Sequence, residues 1–433
     1  MVPSAVQAEF AENLQLAEQG DAAAQFRAAI LFLKGVGTVQ NETKSIAWLK
    51  RSSLQGHGAA QGVCAAHGFG LPRNESKAFK LLQTAALAGE REAQYEFSLF
   101  HEQGWGTPVN HKEAAKWCRL AAEQGYAIAR YHFGLFCDNG MGVPQDLKEA
   151  VKWYRLAAEQ GHSMAQFQLG LCYEKGAGLS RDFKIAVNWY RSAAEERNAD
   201  AQFNLGLCYA NGTGVPKNCQ EAVKWYRLAA GQGFAAAQHN LGLCYANGTG
   251  VPQGAKEAVK WYRLAAAQGN RSAQVNLGIC SYNGTGVPQD FKEAVKWYRL
   301  AAAHQDEAAQ HNLGLCYEKG NGVAQDPKEA IKWFRLAAEQ GNASAQYRVG
   351  IFYFQGLGVC LDLTEAAKWF RLAAAQGFAA AQHSLGAMLI NNGSDGDMSE
   401  AIKWLRAAAA HGPADPSGAA AVAQLKKMGA RAN

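Results

Sequence analysis

The chain has 433 residues, of which 48% are hydrophobic and 18% charged, and its formal net charge of +6 comes from 43 Lys and Arg against 37 Asp and Glu. This composition excludes a disordered or collagen-like chain, and the small charge without blocks of one sign argues against nucleic acid as a partner. No run of 18 apolar residues occurs and residues 1–19 mix acidic with apolar residues, so the sequence predicts neither a membrane span nor a signal peptide.

The first predicted element is a helix in residues 1–19, which we expect to cap the front of a repeat array. An Ala-Gln dipeptide sets the register of the array, because its Gln recurs every 36 residues, with one interval of 33 and one replacement by Arg130. Eleven repeats are predicted in residues 20–411, with the boundaries 20–55, 56–88, 89–124, 125–160, 161–196, 197–232, 233–268, 269–304, 305–340, 341–376 and 377–411. Residues 412–433 are predicted to form a C-terminal capping helix and tail.

Each repeat is predicted to be a pair of helices. In the repeat 233–268, Ala237, Leu241 and Tyr245 recur every four residues and therefore share one helix face, and Gly248 is the predicted stop. In nearly every repeat the second helix follows Asp or Asn, which accepts hydrogen bonds from the free N–H groups of a first turn. The predicted N-caps are Asn41, Asn74, Asn110, Asp146, Asp182, Asn218, Gly254, Asp290, Asp326, Asp362 and Asp397.

Two columns, meaning residues at the equivalent position of successive repeats, concern the core. Small residues recur within the first helix, as at Gly134, Gly170 and Gly206, which predicts a close approach between helices. A Trp recurs in the second helix of ten repeats, and we expect its indole to fill the space beyond this close approach. The sequence thus predicts an all-α solenoid of αα-hairpin repeats.

Stretches such as AQHNLGLCYANGTGVPQ (residues 237–253) and EAVKWYRLAA (residues 221–230) resemble the Sel-one-like repeats, which are relatives of the tetratricopeptide repeats. The resemblance extends over nearly the whole chain. It implies a right-handed superhelix that works as a non-catalytic adaptor, with the first helix of each repeat lining the concave side. It also implies a protein or peptide partner, which we expect a monomeric chain to bind without a cofactor.

One secreted, cysteine-rich branch of this family joins the two helices of each repeat by a disulfide and has been linked to penicillin binding or β-lactamase activity. The present chain has one recurring cysteine per repeat without a recurring partner, so we interpret the column as reduced thiols: Cys172, Cys208, Cys244, Cys280 and Cys316. Reduced thiols and the lack of a signal peptide predict a cytoplasmic location, and delivery to another compartment stays open.

Catalytic motifs are missing from the sequence. Neither the Ser-x-x-Lys motif nor a helical pair of His residues with metal-ligand spacing occurs, so no metal site is predicted and a β-lactam-binding enzyme is only an alternative. The second helices carry Lys residues three positions after Glu, which predicts ion pairs on a solvated face. An acidic ligand or a nucleic-acid backbone is the alternative for the neighbouring Arg column: Arg119, Arg155, Arg227, Arg263, Arg299, Arg335 and Arg371.

Candidate partner-binding positions lie on the first helices. Aromatic rings provide rigid contact area, and Asn both donates and accepts hydrogen bonds, a combination suited to an extended peptide segment. The other interpretation is that the Asn residues are ordinary exposed helix positions and that the aromatic rings are partly packed. The candidates are Asn204, Asn240, Asn276, Asn312, Tyr131, Phe167, Phe203, His239, His311, Tyr347 and His383.

Overall fold

The computed structural model describes residues 5–35, 37–69, 72–392 and 395–429. These residues form 24 α-helices and no β-strand, which confirms the predicted all-α chain of helix pairs. The helices belong to two compact units, residues 1–232 with α1 to α13 and residues 233–433 with α14 to α24. We call them the N-terminal unit and the C-terminal unit.

Eleven helices are the first members of their pairs. Most span 13 residues, whereas α4 spans ten, because the shorter second repeat lacks residues there. Their bounds are α2 Ala22–Lys34, α4 Gly58–His67, α6 Arg91–Gln103, α8 Ala127–Asn139, α10 Ser163–Lys175, α12 Ala199–Asn211, α14 Ala235–Asn247, α16 Arg271–Asn283, α18 Glu307–Lys319, α20 Ala343–Gln355 and α22 Ala379–Asn392.

The remaining helices are the second members of the pairs and two terminal helices. The second helices are α3 Glu42–Leu54, α5 Glu75–Leu87, α7 His111–Glu123, α9 Leu147–Glu159, α11 Phe183–Glu195, α13 Cys219–Gly231, α15 Ala255–Ala267, α17 Phe291–Ala302, α19 Pro327–Glu339, α21 Leu363–Ala375 and α23 Asp395–Ala409. The terminal helix α1 (Ala5–Glu18) packs on α2, and α24 (Pro416–Lys427) packs on α22 and α23.

Asp and Asn side chains begin the second helices as predicted. Asp146, for example, accepts hydrogen bonds from the backbone N–H groups of Lys148 and Glu149 at 2.9 and 3.0 Å. The same arrangement begins every second helix from α3 to α21 except α15, which follows Gly254. The prediction is wrong for Asp397, because α23 begins at Asp395 and Asp397 therefore lies inside the helix.

The first helices from α2 to α20 end at a left-handed glycine. Gly248, the predicted stop of α14, has φ +69°, and its N–H donates to the carbonyl of Cys244. A second glycine of the same loop has a steric role, since a Cβ at Gly142 would lie 1.9 Å from the carbonyl oxygen of His111 at the start of α7. The loop between the helices of one repeat thus lies directly against the second helix of the repeat before it.

From Gly134 to Gly350, the glycine column inside the first helices accommodates an aromatic ring, which belongs to the residue that follows the recurring Trp. A Cβ at Gly134 would lie 2.6 Å from Cδ1 and Cε1 of Tyr154, the residue that follows Trp153. The same contact joins Gly170 to Tyr190 and Gly206 to Tyr226. The close approach between the helices is therefore made at the ring of this following residue. The Trp indoles lie to one side of this ring, because the buried face of the second helix is centred on the residue after the Trp.

The register Gln connects successive repeats in both units. In the N-terminal unit, Nε2 of Gln166 donates to the carbonyl of Ala158 at 3.2 Å, which satisfies a carbonyl at the end of α9. In the C-terminal unit, Oε1 of Gln346 accepts from Nε2 of Gln376 at 2.8 Å, and its own Nε2 donates to Ala338 at 3.1 Å. Arg130 replaces Gln without loss of this bond, since its Nε donates to Ala122 at 3.2 Å.

Candidate partner-binding site

The predicted aromatic positions of the first helices lie against the second helices. In the N-terminal unit the ring centroids of Phe167 and Tyr190 are 5.8 Å apart, and in the C-terminal unit those of His239 and Tyr262 are 6.0 Å apart. Tyr131 and Phe167 are only 9% exposed. The other candidates of this column are half-buried, so each ring combines an internal contact with a limited exposed edge: Phe203, His239, His311, Tyr347 and His383.

The four predicted Asn residues are half-buried on the same helices. Asn204 donates from Nδ2 to the carbonyl of Asp200 in its own helix at 2.8 Å. Nδ2 of Asn276 lies 3.0 Å from Nε2 of His239 in the preceding repeat. Asn240 and Asn312 adjoin His239 and His311 and act to raise the pKa of these imidazoles, against the larger lowering by burial. The predicted aromatic and Asn positions of the C-terminal unit are therefore brought together.

Equivalent positions that sequence reasoning missed carry other polar groups. Arg348 occupies the Asn position of α20, and its Nη1 lies 3.1 Å from Oε1 of Glu318 in the preceding repeat. Nearby, Oγ of Ser344 lies 3.1 Å from Nε2 of His311. The sequence prediction depends on the recurrence of Asn and therefore omits Arg348. Alignment of the repeats includes it, because Arg348 occupies the position of the Asn residues.

In the N-terminal unit the same position carries Arg27, Glu96, His132 and Gln168 in successive repeats other than the second. Nε of Arg27 lies 3.7 Å from Glu92, and Nζ of Lys34 lies 4.0 Å from Glu96, so α2 reaches α6 past the small residues of α4. Arg91 pairs with Glu92 at 2.8 Å and with Glu9 of α1 at 2.7 Å.

Two buried histidines of the N-terminal unit, His132 of α8 and His162 at the start of α10, are held in the neutral form. Burial, with the Lys34 ammonium as a second cause, lowers the pKa of His132 to about 3. Burial lowers the pKa of His162 to about 4, and its Nδ1 accepts the N–H of Ala165 at 3.2 Å as the N-cap of α10. His162 also stacks on Tyr131 with a centroid distance of 4.9 Å.

A cleft of about 550 Å³ adjoins these residues in the N-terminal unit. Lys34 and Gln40 line it from the first repeat, and Ser163, Glu196 and Arg197 line it from the fifth and sixth. Helix α1 takes part in this wall, because Nε2 of Gln7 donates to Glu196 at 3.4 Å. The cleft offers cationic, anionic and amide groups to a ligand.

The recurring cysteines are reduced and largely buried. All ten cysteines are free thiols, and burial raises the pKa of Cys172, Cys208 and Cys316 to about 11. The cytoplasmic location stays a prediction.

Seven of the predicted Glu–Lys pairs are present on the second helices, as between Glu149 and Lys152 at 3.3 Å. Several Arg side chains donate to Tyr hydroxyls of the next repeat, as Arg155 does to Tyr173 at 3.0 Å.

The described ranges contain neither a membrane-spanning helix nor a cluster of metal ligands. None of the helices there combines the length and the apolar character that crossing a bilayer requires. In the same ranges, no group of three or more His, Cys, Asp or Glu side chains is arranged to hold a metal ion.

Comparison with known proteins identifies the repeats. The Sel1 repeat family model matches eleven consecutive segments, residues 22–57, 59–90, 91–126, 127–162, 163–198, 199–234, 235–270, 271–306, 307–342, 343–378 and 379–413. A comparison with curated proteins gives no significant match.

Two solved structures are similar over most of the chain. A protective antigen of uropathogenic Escherichia coli, described as displaying an SLR fold, is 32% identical with a TM-score of 0.79, covering 97% of this chain and 90% of the antigen. A Sel1 repeat protein from Oxalobacter formigenes is 34% identical with a TM-score of 0.55, covering 71% of this chain and 88% of that protein. The eleven matched segments and these likenesses lead to one conclusion: the chain belongs to the Sel1 repeat family.

Proposed function

We propose that the protein is a non-catalytic scaffold that binds an extended segment of a partner protein on the surface formed by its first helices. Sel1 repeat proteins generally mediate protein–protein interactions and are typically non-catalytic. The observation that carries the proposal is the half-exposed row of Asn240, Asn276 and Asn312 on three successive first helices, bordered by His239 and His311.

The chemistry of this row supports a peptide backbone as the bound group. An Asn amide donates through its nitrogen and accepts through its oxygen, as one peptide unit of an extended strand does. Asn276 uses one donor on His239, which leaves its amide oxygen available and orients it. Burial lowers the pKa of His239, so the imidazole is neutral at physiological pH and adds no charge that would disfavour a neutral backbone.

The aromatic neighbours support specificity for side chains. Tyr347 packs against Phe370 at 5.7 Å and Phe378 at 5.3 Å between centroids, so the ring is held in place before a ligand arrives. A ring whose position is already restricted loses little conformational entropy on binding. Arg348 and Glu318, which pair at 3.1 Å, offer a charged contact at one end of the row.

The test compares two sets of four identical substitutions. Peptides selected from a random phage-displayed library on the full-length chain should bind about tenfold or more weakly to the variant N204A/N240A/N276A/N312A, because each lost amide removes hydrogen bonds to the peptide. The matched control, N139A/N211A/N247A/N283A, changes the last residues of first helices and should bind as the wild type does.

Affinity is measured by isothermal titration calorimetry, with circular dichroism to verify that both variants fold. Equal affinity of the wild type and the first variant would remove the Asn row from the proposal. The same preparations should leave nitrocefin intact, and a turnover that scales with enzyme concentration would restore the β-lactam-hydrolysing alternative.

A further inference from the structure

Exposed leucines recur on the second helices of the C-terminal unit, away from the candidate site on the first helices. Leu264 of α15 is 45% exposed, and Leu300, Leu336 and Leu372 of α17, α19 and α21 are each 44% exposed. Leucines that stay exposed on successive helices form an apolar surface that no other described residue covers, and such a surface is typical of a docking site.

An open depression of about 500 Å³ lies beside one of these leucines. Its apolar part consists of Val295, Leu300 and Ala303, together with Gly322 of the loop between α18 and α19. Its remaining lining residues are Lys292, Lys296 and Arg299, and no carboxylate lines it. The depression therefore combines an apolar floor with a rim of three cations.

The positive charge of this rim is only partly neutralised. Lys296 pairs with Glu293 at 3.6 Å, but both side chains are exposed, so water screens the pair and a partner carboxylate can readily replace Glu293. Arg299 donates to the neutral hydroxyl of Tyr317 at 2.8 Å. Lys292 has no ion pair within the described part of the chain. The rim thus keeps a net charge that suits an acidic partner.

The residue four positions after the recurring Arg differs between the second helices. Helices α7 and α19 end in Glu123 and Glu339, which pair with Arg119 at 2.7 Å and Arg335 at 3.9 Å. This residue is Ala267 at the end of α15 and Ala303, the C-cap, after α17. Arg263 and Arg299 therefore lack the i,i+4 carboxylate that Arg119 and Arg335 have.

We propose that α15 and α17 form a docking surface for an acidic amphipathic helix of a partner protein. Lys292, Lys296 and Arg299 are four and then three residues apart, so they share one face of α17 with separations of about 6 and 4.5 Å along its axis. A helix packed alongside presents carboxylates at i, i+4 and i+7 with the same separations. An apolar side chain at i+3 of that helix then lies over Val295 and Leu300.

Helix α15 repeats the arrangement one repeat earlier. Lys256, Lys260 and Arg263 have the same spacing, next to the exposed Leu264. A concave depression with cations at fixed spacing favours a helix over a membrane, because a flat lipid surface would contact the outermost ammonium groups without filling the depression.

The test uses the full-length chain and a fluorescein-labelled, alanine-rich peptide of about 18 residues, long enough to form a helix on the surface. The peptide has Glu at i, i+4 and i+7 and Leu at i+3, and a control peptide of the same composition places Leu on the face opposite to Glu. By fluorescence anisotropy we expect about tenfold weaker binding of the control peptide. Equal binding of the two peptides would show simple charge attraction and overturn the proposal.

Two matched double variants locate the surface. L264D/L300D removes both apolar contacts and adds repulsive charge, and we expect at least about tenfold weaker peptide binding. L120D/L336D makes the same changes on α7 and α19, where Glu123 and Glu339 already neutralise the arginines, and should bind as the wild type does. Thermal unfolding establishes that both variants are folded.

Two results would overturn the proposal at this stage. One is unchanged peptide binding by L264D/L300D, or an equal loss in L120D/L336D. The other is that the peptide does not bind, whereas vesicles of phosphatidylserine and phosphatidylcholine bind the wild type and lose this binding in L264D/L300D. That result would identify a lipid surface as the partner instead.

Discussion

The contact of Gly206 with Tyr226 shows at the scale of single residues why a glycine recurs inside the first helices. Glycine in a helix interior costs about 1 kcal/mol relative to alanine, so its recurrence needs a compensating gain. That gain is the packing of a ring directly on the helix backbone, which an alanine Cβ would prevent at 2.6 Å from Cδ1 and Cε1.

Replacement of this glycine should be destabilising, whereas replacement of another helical glycine should not. We expect G206A to lower the free energy of unfolding by about 1–3 kcal/mol through overpacking against Tyr226. G231A should raise it by about 0.5 kcal/mol, because a Cβ at Gly231 of α13 meets nothing within 4 Å. Urea unfolding of both variants measures the difference, and similar effects of the two substitutions would contradict the steric explanation.

A single buried histidine should make stability depend on pH. The pKa of His162 in the folded protein is about 4, below its unfolded value of about 6.5, so between these values the unfolded chain binds a proton that the folded chain does not. Stability is therefore full above about pH 6.5 and decreases as the pH falls towards 4, by about 1.4 kcal/mol per pH unit from this group.

The substitution H162N isolates this contribution. Asn198 and Asn270 are N-caps at the equivalent position, so asparagine preserves the cap bond while removing the titrating group. We expect the unfolding midpoint of H162N in urea to change less between pH 7 and pH 4.5 than that of the wild type. A parallel pH dependence of the two proteins would mean that other groups determine it.

At the scale of elements, the turns between repeats depend on a left-handed residue. Gly161 and Gly269 supply it with φ +89° and +82°, but Arg197 and Gln305 occupy the same place with φ +64° and +61°. A residue with a Cβ pays about 1–2 kcal/mol for this conformation. In these two turns the residue therefore adopts a backbone conformation that its Cβ makes unfavourable.

Glycine should relieve this cost. We expect R197G and Q305G each to raise the free energy of unfolding by about 0.5–1 kcal/mol, because the lost strain exceeds the added flexibility of the unfolded chain. G269A places a Cβ in the equivalent turn and should be destabilising. Differential scanning calorimetry provides the measurement, and a lower melting temperature of R197G and Q305G would show that contacts of the two side chains outweigh the strain.

The predictability of these elements differs for a physical reason. Caps such as Asp146 and stops such as Gly248 act on their own helix, so the local sequence is sufficient to predict them. Which of Trp153 and Tyr154 faces Gly134 depends on a rotation of α9 of about 100° per residue, and the apolar stripe includes both residues. The periodicity predicted the buried face, but it could not select the ring at its centre.

At the scale of the whole molecule, repetition made the fold predictable and concealed part of the site. Eleven recurrences of one pattern predicted the helix pairs, because each structural column was sampled many times. The side chains at the candidate position vary between repeats, so Glu96, His132 and Arg348 do not stand out from the sequence, although they occupy the position of the Asn residues. The contacts of Lys34 with Glu96 and of Glu9 with Arg91 join helices that are distant in sequence and needed the structure.

The bonds of the register Gln have a consequence for how such a chain can change in evolution. Gln346 donates across the repeat boundary to the carbonyl of Ala338, whereas its side-chain oxygen accepts from Gln376 of its own repeat. The hydrogen bond between two repeats therefore needs only the register Gln of one repeat and a carbonyl at the helix end of the repeat before it. Duplication of one 36-residue segment of the gene would create a junction whose hydrogen bonds are already complementary, and loss of a segment would rejoin equivalent partners. The length of the array can therefore change by recombination before any binding residue is altered.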